Sequence, residues 1–370
     1  MSHGMNFGFL CPGSPSPNGR KTAIIGAGPS GLAATGFLAC LGYEVDVYDK
    51  LPKAGGLMVF GIPGERIPAE RIEAGVESLK EKYGVKFHLR TKICGNEALN
   101  QETGDRFSSN LVSLGELAQD HDAVMICTGT WKSRKMNIRG EDLPGVYSGL
   151  EFLFPIRAVK YDAQKMKGPD VRGKVVAVVG AGYSAVDVAY SALAHGAAKV
   201  YMLYRRTKNE APCGSYEVER LMDMGVKWWE LVTPVRIVGE DKVEAIDLLK
   251  CTLGEPDETG RRCPMRESGE GVTLEADIVV TAIGEIATPP FAEELGLGTV
   301  HKNEVHWLQM TNIPGVFVAG DALTGPSKIG KAVYSGLRAA RSLANWLDLK
   351  HLNRLEEYSD DIFITREDMK

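Results

Sequence analysis

The run KTAIIGAGPSGLAATGFLACLGYEVDVYDK, Lys21 to Lys50, decides how the rest of the chain is read. Thr22 to Ile25 form a short apolar strand. Gly26-Ala27-Gly28-Pro29-Ser30-Gly31 then turns tightly into a helix whose free amides and positive dipole end favour a pyrophosphate. In such a loop Gly26 permits the turn, Gly28 lets a phosphate approach the backbone, and Gly31 allows the helix to pack on the strand. Leu32, Ala33, Phe37 and Leu38 recur at spacings that give that helix an apolar face. A second strand, Glu44 to Tyr48, ends at Asp49, followed by Lys50. This places a carboxylate where the fingerprint expects an acid for ribose hydroxyls. A surface turn that happens to contain glycines would lack the flanking strands, the helix and the closing acid. The stretch reads as a complete nucleotide-binding β-α-β unit, and so as a dinucleotide site.

The same device recurs. Lys174 to Val179 is a second apolar strand, and Gly180-Ala181-Gly182-Tyr183-Ser184-Ala185 leads from it into the helical run Val186 to Ala194. The following strand, Lys199 to Tyr204, finishes in Arg205-Arg206 instead of an acid. Guanidinium forks at that point suit a 2′-phosphate, so NADP(H) is expected there in preference to NAD(H), with room for one of the pair to be a solvated surface charge. Asp49 disfavours a phosphorylated ribose and suits FAD or NAD. Two further segments tip the first site toward FAD: Asp122 to Cys127 runs as a strand into Thr128-Gly129, and Val316 to Ala319 runs into Gly320-Asp321. An acid at such a strand end can accept hydrogen bonds from ribityl hydroxyls. A helix beginning near Ser327 to Gly330, with Lys328 and Ile329 in its first turn, can aim its N-terminus at a ring carbonyl. An ordinary turn and helix cap would account for Gly320-Asp321 taken alone.

A chain of 370 residues with 44% apolar residues has room for two domains and a substantial core. The formal net charge of −5 gives no electrostatic reason to expect nucleic acid or an anionic membrane as a partner. No apolar run approaches the roughly 18 to 20 residues that span a bilayer, and the start MSHGMNFGFLCPG lacks the regions of a secretory signal. The expectation is a cytoplasmic protein. Its seven cysteines are scattered, with no CxxC, which fits reduced thiols. Cys40 and Cys127 sit in apolar runs as small core residues. Cys251 and Cys263 flank the polar loop Thr252 to Arg262, a spacing that allows pairing or a shared metal as a minor reading. Leu253 to Gly271 reads as an exposed loop or hairpin, and Trp228 and Trp229 as packing residues on a short strand.

Taken in order, GAGPSGLAA, AGGLMVFGIPGERIP (Ala54 to Pro68), CTGTWKSRKMNIRGEDLPGV (Cys127 to Val146), VVGAGYSAVDVA, LYRRTKNEAP (Leu203 to Pro212), TAIG (Thr281 to Gly284) and IPGVFVAGDALTGPS (Ile313 to Ser327) make a series. It resembles the NADPH-oxidising small subunit of glutamate synthase and, more widely, flavoproteins with two dinucleotide-binding domains, over roughly Lys21 to Leu347. The resemblance implies an α/β fold with two Rossmann-like dinucleotide-binding domains, the NADP(H) domain inserted in the FAD domain. On this reading residues 1–19 are an irregular lead-in, 20–140 and 285–349 the FAD domain, 141–284 the NADP(H) domain and 350–370 an acidic tail. The resemblance assigns Gly55, Gly56, Leu57 and Arg66 to FAD, and the backbone at Thr91-Lys92-Ile93 to its adenine. It assigns Tyr204-Arg205-Arg206 to the 2′-phosphate, and Ile283 and Gly284 to the same ligand. Asp187 also matches the family pattern.

The departures from that family shape the functional expectation. Glutamate synthase small subunits carry a cysteine-rich region before the flavin fingerprint that binds iron-sulfur clusters, whereas Cys11 is the single cysteine before Gly26. The chain is therefore expected to exchange electrons with an iron-sulfur partner subunit or a ferredoxin, as part of a hetero-oligomer. Lys328 and Lys331 replace apolar positions of relatives, where they can tune a flavin, dock an acidic partner or simply lie solvated. The lack of CxxC argues against disulfide reduction. The expected activity is an FAD-dependent NAD(P)H:acceptor oxidoreductase, with hydride passing from NADPH to FAD and electrons onward, or the reverse. No catalytic side chain and no metal site is assigned. The alternatives are a redox-silent nucleotide-binding or assembly module, and a stand-alone NADPH oxidase or monooxygenase. After His351, Glu356, Glu357, Asp360 and Asp361 with Ile362-Phe363-Ile364 read as a solvated acidic tail more than a docking segment.

Overall fold

A computed structural model describes residues 4–8, 11, 13, 15–94, 102–161, 166–257, 260–267, 269, 271–286, 311 and 313–357. The chain opens with β1 (Lys21–Ile25), α1 (Pro29–Cys40), β2 (Glu44–Tyr48), α2 (Leu57–Phe60), α3 (Ala69–Tyr83) and β3 (Lys86–His88). Next come β4 (Thr91–Cys94), β5 (Asn110–Ser113), α4 (Leu114–Asp120), β6 (Ala123–Ile126) and β7 (Lys132–Ser133). The middle holds β8 (Val146–Ser148), α5 (Gly149–Ala158), β9 (Val175–Val179), α6 (Tyr183–Ala194), β10 (Lys199–Tyr204), α7 (Ser215–Asp223) and β11 (Lys227–Glu230). It continues through β12 (Val232–Val238), β13 (Ala245–Pro256), β14 (Arg262–Arg266), β15 (Val272–Glu275), β16 (Ile278–Thr281) and β17 (Glu285–Ile286). β18 (Val316–Val318), α8 (Asp321–Thr324) and α9 (Ile329–His351) follow.

The described residues fall into two units, one from Met1–Lys132 with Glu285–Lys370, the other from Ser133–Gly284. The first is built on a parallel sheet in the order β3-β2-β1-β6-β18. The second has a parallel sheet in the order β11-β10-β9-β16-β8. In each, the first strand of the fingerprint lies between its successor and a later strand, which leaves a crevice beyond the strand ends where ligands of such sheets bind. Central strands covered on both faces need apolar side chains in both directions, and so β6 (AVMI) and β9 (VVAVV) read as continuous apolar runs.

The two faces of the second sheet are covered differently. Val176 and Val178 pack with Val188, Ala189 and Leu221 under the helices. Ala177 and Val179 pack with Ile237, Ile246 and Leu274 of an antiparallel sheet formed by β12, β13, β14 and β15. The β13–β14 hairpin occupies the polar stretch expected to be a loop or hairpin, and Trp228 and Trp229 lie on β11 against Tyr204 and Tyr201.

In the first unit α1 is enclosed, which explains why a helix expected to show one apolar face is buried nearly all round. α9 approaches so closely that a Cβ added at Gly336 would lie 2.2 Å from the carbonyl oxygen of Ser30. The lead-in lies along α1 and α3. The Met5 amide donates to Arg71 O at 2.8 Å, the Phe7 carbonyl comes within 1.9 Å of where Gly36 would carry a Cβ, and the Met5 carbonyl within 2.3 Å of the same point on Gly75. One expectation is corrected here. Cys40, read as a reduced core thiol, ends α1 facing this lead-in and is joined to Cys11 by a disulfide, with Cα atoms 5.2 Å apart. Among the described residues no helix is long and apolar enough to cross a membrane. α9 runs to His351 and is followed by a short turn at Leu355–Glu357, while Asp360, Asp361 and Ile362 to Ile364 lie outside the described residues.

Candidate dinucleotide sites

In the first unit the glycines divide their work as elementary sterics requires. Gly26 has φ +103, and a Cβ there would lie 2.4 Å from Cys127 O; at Gly31 it would lie 1.9 Å from Gly26 O. Gly28 meets nothing within 4 Å, so its bare Cα faces open space. Gly28 is the N-cap of α1 and no side chain caps that helix, which leaves its first-turn amides for an anion. The hydroxyl of Ser30 is buried 3.6 Å from Cys127 Sγ, so what Ser30 can offer a ligand is its amide. Asp49, 7% exposed, accepts from the Ala27 amide at 2.6 Å and the Leu51 amide at 2.8 Å. Burial pushes its carboxyl up, opposed by those two amides. It thus fastens the loop to the end of β2, and two amides leave part of its acceptor capacity for ribose hydroxyls.

Other segments close around this loop. Gly55 and Gly56 have φ of +122 and +52, the Gly55 amide donates to Ala27 O at 2.7 Å, and a Cβ on Gly56 would lie 2.9 Å from Gly28 Cα. Leu57 opens α2 immediately afterwards. Beyond β6, the hydroxyl of Thr128 is buried without a hydrogen-bond partner, and Gly129 (φ +74) has nothing within 4 Å of its missing Cβ. A buried orphan hydroxyl costs about 1–3 kcal/mol until a ligand satisfies it. Beyond β18, Gly320 (φ +68) donates its amide to Ser335 Oγ at 2.9 Å. Asp321 accepts from Ser327 Oγ at 2.6 Å, and burial raises its carboxyl against that bond. α9 starts at Ile329 with Lys328 as an exposed N-cap and no side-chain cap, and Gly330 faces open space. Uncapped amides, an orphan hydroxyl and bare glycine Cα atoms fit a phosphate-bearing polyol such as FAD.

The remaining residues expected at this site are placed as follows. Ile93 is buried in the core of the unit, so only its backbone is available. Arg66 lies exposed on the turn after α2, with its amide on Pro63 O. Lys50 is committed elsewhere: its ammonium pairs with Glu102 and with Asp105 at 3.1 Å and lies 3.9 Å from the centre of the Trp131 ring. Asp105, also paired with Lys92 at 2.5 Å, is held below the usual carboxylate range by the two lysines in spite of its burial. These partners lie far along the chain, and no local signal announced them.

The second unit repeats the first loop. Gly180 has φ +127, and a Cβ there would lie 2.3 Å from Ala282 O, the counterpart of Gly26 against Cys127. Gly182 is the uncapped N-cap of α6 and faces open space, while Ala185 is fully buried where the first unit has Gly31. Tyr183 is exposed and Ser184 half-buried at the helix start, and Asp187 is buried one turn on. Ile283 is exposed beyond β16, and Gly284 (φ +105) accepts from the Arg134 amide at 2.9 Å. The arginine pair splits. Arg205 is exposed at the end of β10, whereas Arg206 is 5% exposed, with Nε donating to Arg262 O at 2.6 Å and Nη2 to Asp257 at 3.1 Å. The expectation of two free forks is therefore corrected to one.

Cys251 is buried and Cys263 exposed, both unpaired; the strand register sets Cys251 opposite Arg266. Among the described residues no group of three His, Cys, Asp or Glu is placed to hold a metal.

The model of the pyridine nucleotide-disulphide oxidoreductase family matches residues 20–336. The subunit beta of the NADP(+)-dependent formate dehydrogenase of Moorella thermoacetica is 38% identical over 337 residues, covering 89% of this chain and 44% of that protein. A putative glutamate synthase (NADPH) small chain of Cereibacter sphaeroides is 33% identical over 350 residues, covering 92% and 80%. The chain thus spans less than half of the first relative and most of the second. Mycobacterium tuberculosis FprA, solved in complex with NADPH, superposes with a TM-score of 0.72 at 22% identity, over 90% of this chain and 86% of that one, and shares the fold. Two glycine loops of one geometry on two sheets of one order, matched over this length, make the chain a member of the pyridine nucleotide-disulphide oxidoreductase family.

Proposed function

We propose that the chain is an FAD-dependent NADPH:acceptor oxidoreductase that serves as an electron-transfer subunit, of the kind found as the small chain of glutamate synthase. One observation carries the reading: two loops of the same geometry end in unlike partners, a buried Asp49 in the first unit and an exposed Arg205 in the second. The carboxylate suits an unphosphorylated ribose and the guanidinium a 2′-phosphate. Gly26 to Gly31, Gly55 to Leu57, Thr128-Gly129 and Gly320-Asp321 would hold FAD, which when bound accepts a hydride from NADPH and releases electrons singly. Gly180 to Ala185, Arg205 and the Ile283-Gly284 turn would hold NADPH.

Relatives named as a beta subunit and a small chain support a place in a larger assembly, with an iron-sulfur subunit or a ferredoxin as the partner for electrons in either direction. A cytosolic setting belongs to the same proposal, on the ground that Cys94, Cys127, Cys213, Cys251 and Cys263 are unpaired, with the Cys11–Cys40 disulfide weighing the other way. The test is anaerobic mixing of the FAD-loaded chain with NADPH. Loss of the oxidised flavin absorption, weaker with NADH, is expected. Retained colour would sink the oxidoreductase reading in favour of a redox-silent module, and rapid peroxide formation in air would favour an oxidase.

A further inference from the structure

The loop beyond β6 holds a tryptophan that the dinucleotide fingerprint does not call for. Trp131 donates its indole Nε1–H to the Thr128 carbonyl at 2.8 Å. Its ring carries the Lys50 ammonium 3.9 Å from the centre, a close cation–π contact. That ammonium is held in turn by Glu102 and by Asp105 at 3.1 Å, and Asp105 also takes Lys92 at 2.5 Å. Gly104 lets this segment come close, because a Cβ there would lie 2.9 Å from Lys50 Cε and 3.4 Å from the Trp131 ring. Thr128 backs onto the glycine loop: a Cβ on Gly26 would lie 3.1 Å from its Cα. Its hydroxyl is buried with no hydrogen-bond partner among the described residues. Gly129, which follows, sits at φ +74 with nothing within 4 Å of where a Cβ would stand. Gly129 thus contributes no side chain to fix the turn; the indole bond to the carbonyl just before it does.

We propose that Trp131 is a positioning residue of the FAD site: braced by the ion pairs around Lys50, its indole pins the Thr128 carbonyl so that the orphan hydroxyl of Thr128 is presented to the flavin nucleotide. The inference rests on the reading of the first unit as the FAD site. It gives Lys50 a task other than the direct ligand contact that its charge suggested. With two carboxylates and a ring around it, the ammonium serves the tryptophan. It also accounts for a hydroxyl kept where it bonds nothing in the protein, since such a group destabilises the empty chain and contributes only once a ligand meets it. Glu102 and Asp105, Lys50, Trp131 and Thr128 then form one line of contacts that ends at the ligand.

Calorimetric titration of FAD into the flavin-free full-length chain, beside thermal melts of the same flavin-free proteins, tests this directly. Thr128→Val should leave the flavin-free chain at least as stable as wild type, because it removes a buried orphan hydroxyl, and should still weaken FAD roughly threefold to tenfold. A side chain that merely packs would move both readouts in the same direction. Trp131→Phe, which keeps a ring for Lys50 but has no N–H, should weaken FAD by a similar factor. In the Thr128→Val background it should weaken FAD no further, because Trp131 acts through that hydroxyl. Thr128→Ser, which restores the donor, should recover part of the affinity that Thr128→Val loses. Lys50→Met is a second route to the same answer should Trp131→Phe not fold: it should weaken FAD in the wild-type background and not in Thr128→Val. Unchanged FAD affinity in Trp131→Phe or in Thr128→Val, or losses that multiply in the double variants, would overturn the assignment, and for Lys50 would return it to a direct ligand contact. A wild-type chain that takes up no FAD would instead overturn the FAD reading, a failure distinguishable from the others because it precedes any substitution.

Discussion

At Gly28 and Gly26 the same residue type answers two different demands, and substitution separates them. A side chain on Gly28 meets nothing in the protein, so Gly28→Val should leave the stability of the FAD-free chain within about 0.5 kcal/mol while abolishing flavin retention. Gly26→Ala drives a Cβ to 2.4 Å from Cys127 O at a positive φ and should destabilise the unit itself by about 2 kcal/mol or more. Thermal melts of the two FAD-free variants, with flavin content measured after loading, distinguish the outcomes. These roles were legible from sequence because the loop is local and its sterics are fixed by chirality. The fates of Lys50 and Arg206 were not. Each had the charge expected of a ligand contact, but the carboxylates that claim them, Glu102, Asp105 and Asp257, are brought in by the fold across more than fifty residues.

Among the elements, β2, β3 and the residue that ends α4 share a buried charge that no motif announced. Asp46 accepts from His88 at 2.9 Å and His121 at 3.3 Å and pairs with Lys21 at 3.1 Å, with Tyr48 stacked on His88. Burial alone would raise its carboxyl, but hydrogen bonds from His121, His88 and Lys21 outweigh it and hold Asp46 well below its ordinary value of 3.8. A depressed carboxyl contributes stability that is complete above the unfolded value and is lost as pH falls through the folded one. Asp46→Asn should therefore lower Tm at neutral pH, by about 2 kcal/mol in stability, and flatten the loss of stability below pH 4. Melts across that acid range decide it.

The lead-in is a second element-scale feature. Its proline-rich, irregular character was evident in the sequence, but its seat along α1 and α3 depends on Gly36 and Gly75, which carry no local mark of that use. The Cys11–Cys40 bond closes a loop with a sequence separation of 29 residues. By chain entropy its reduction should lower stability by about 3 kcal/mol, read as a fall in Tm that Cys40→Ser reproduces and that reductant no longer deepens.

For the molecule as a whole, the two-unit α/β architecture was readable because each unit announces itself with a strand, a glycine loop, a helix and a strand-end charge. The antiparallel sheet β12 to β15 had no such signature beyond the loop or hairpin expected over Leu253 to Gly271, which the β13–β14 pair fills. The two loops predict separable defects. Gly182→Val should yield a chain that keeps its flavin but no longer bleaches with NADPH, whereas Gly28→Val should yield one without flavin that still binds 2′,5′-ADP. Flavin spectra and calorimetry on the two full-length variants would show whether the sites fail independently.

The first unit is assembled from two stretches of chain with residues 133–284 between them. On a ribosome, therefore, β18 and α9 are the last parts of that unit to be made, long after α1 and its glycine loop have emerged. Until they arrive, Ser30 lacks the helix that Gly336 brings against it, and Gly320 and Asp321 do not exist. On the proposed assignment biosynthesis would run out of order: the NADP(H) unit in the middle would mature while the FAD unit waits half-built. Nascent chains stalled once residues up to Gly284 have emerged should already be retained on immobilised 2′,5′-ADP yet hold no flavin, and flavin loading should wait until α9 has been made.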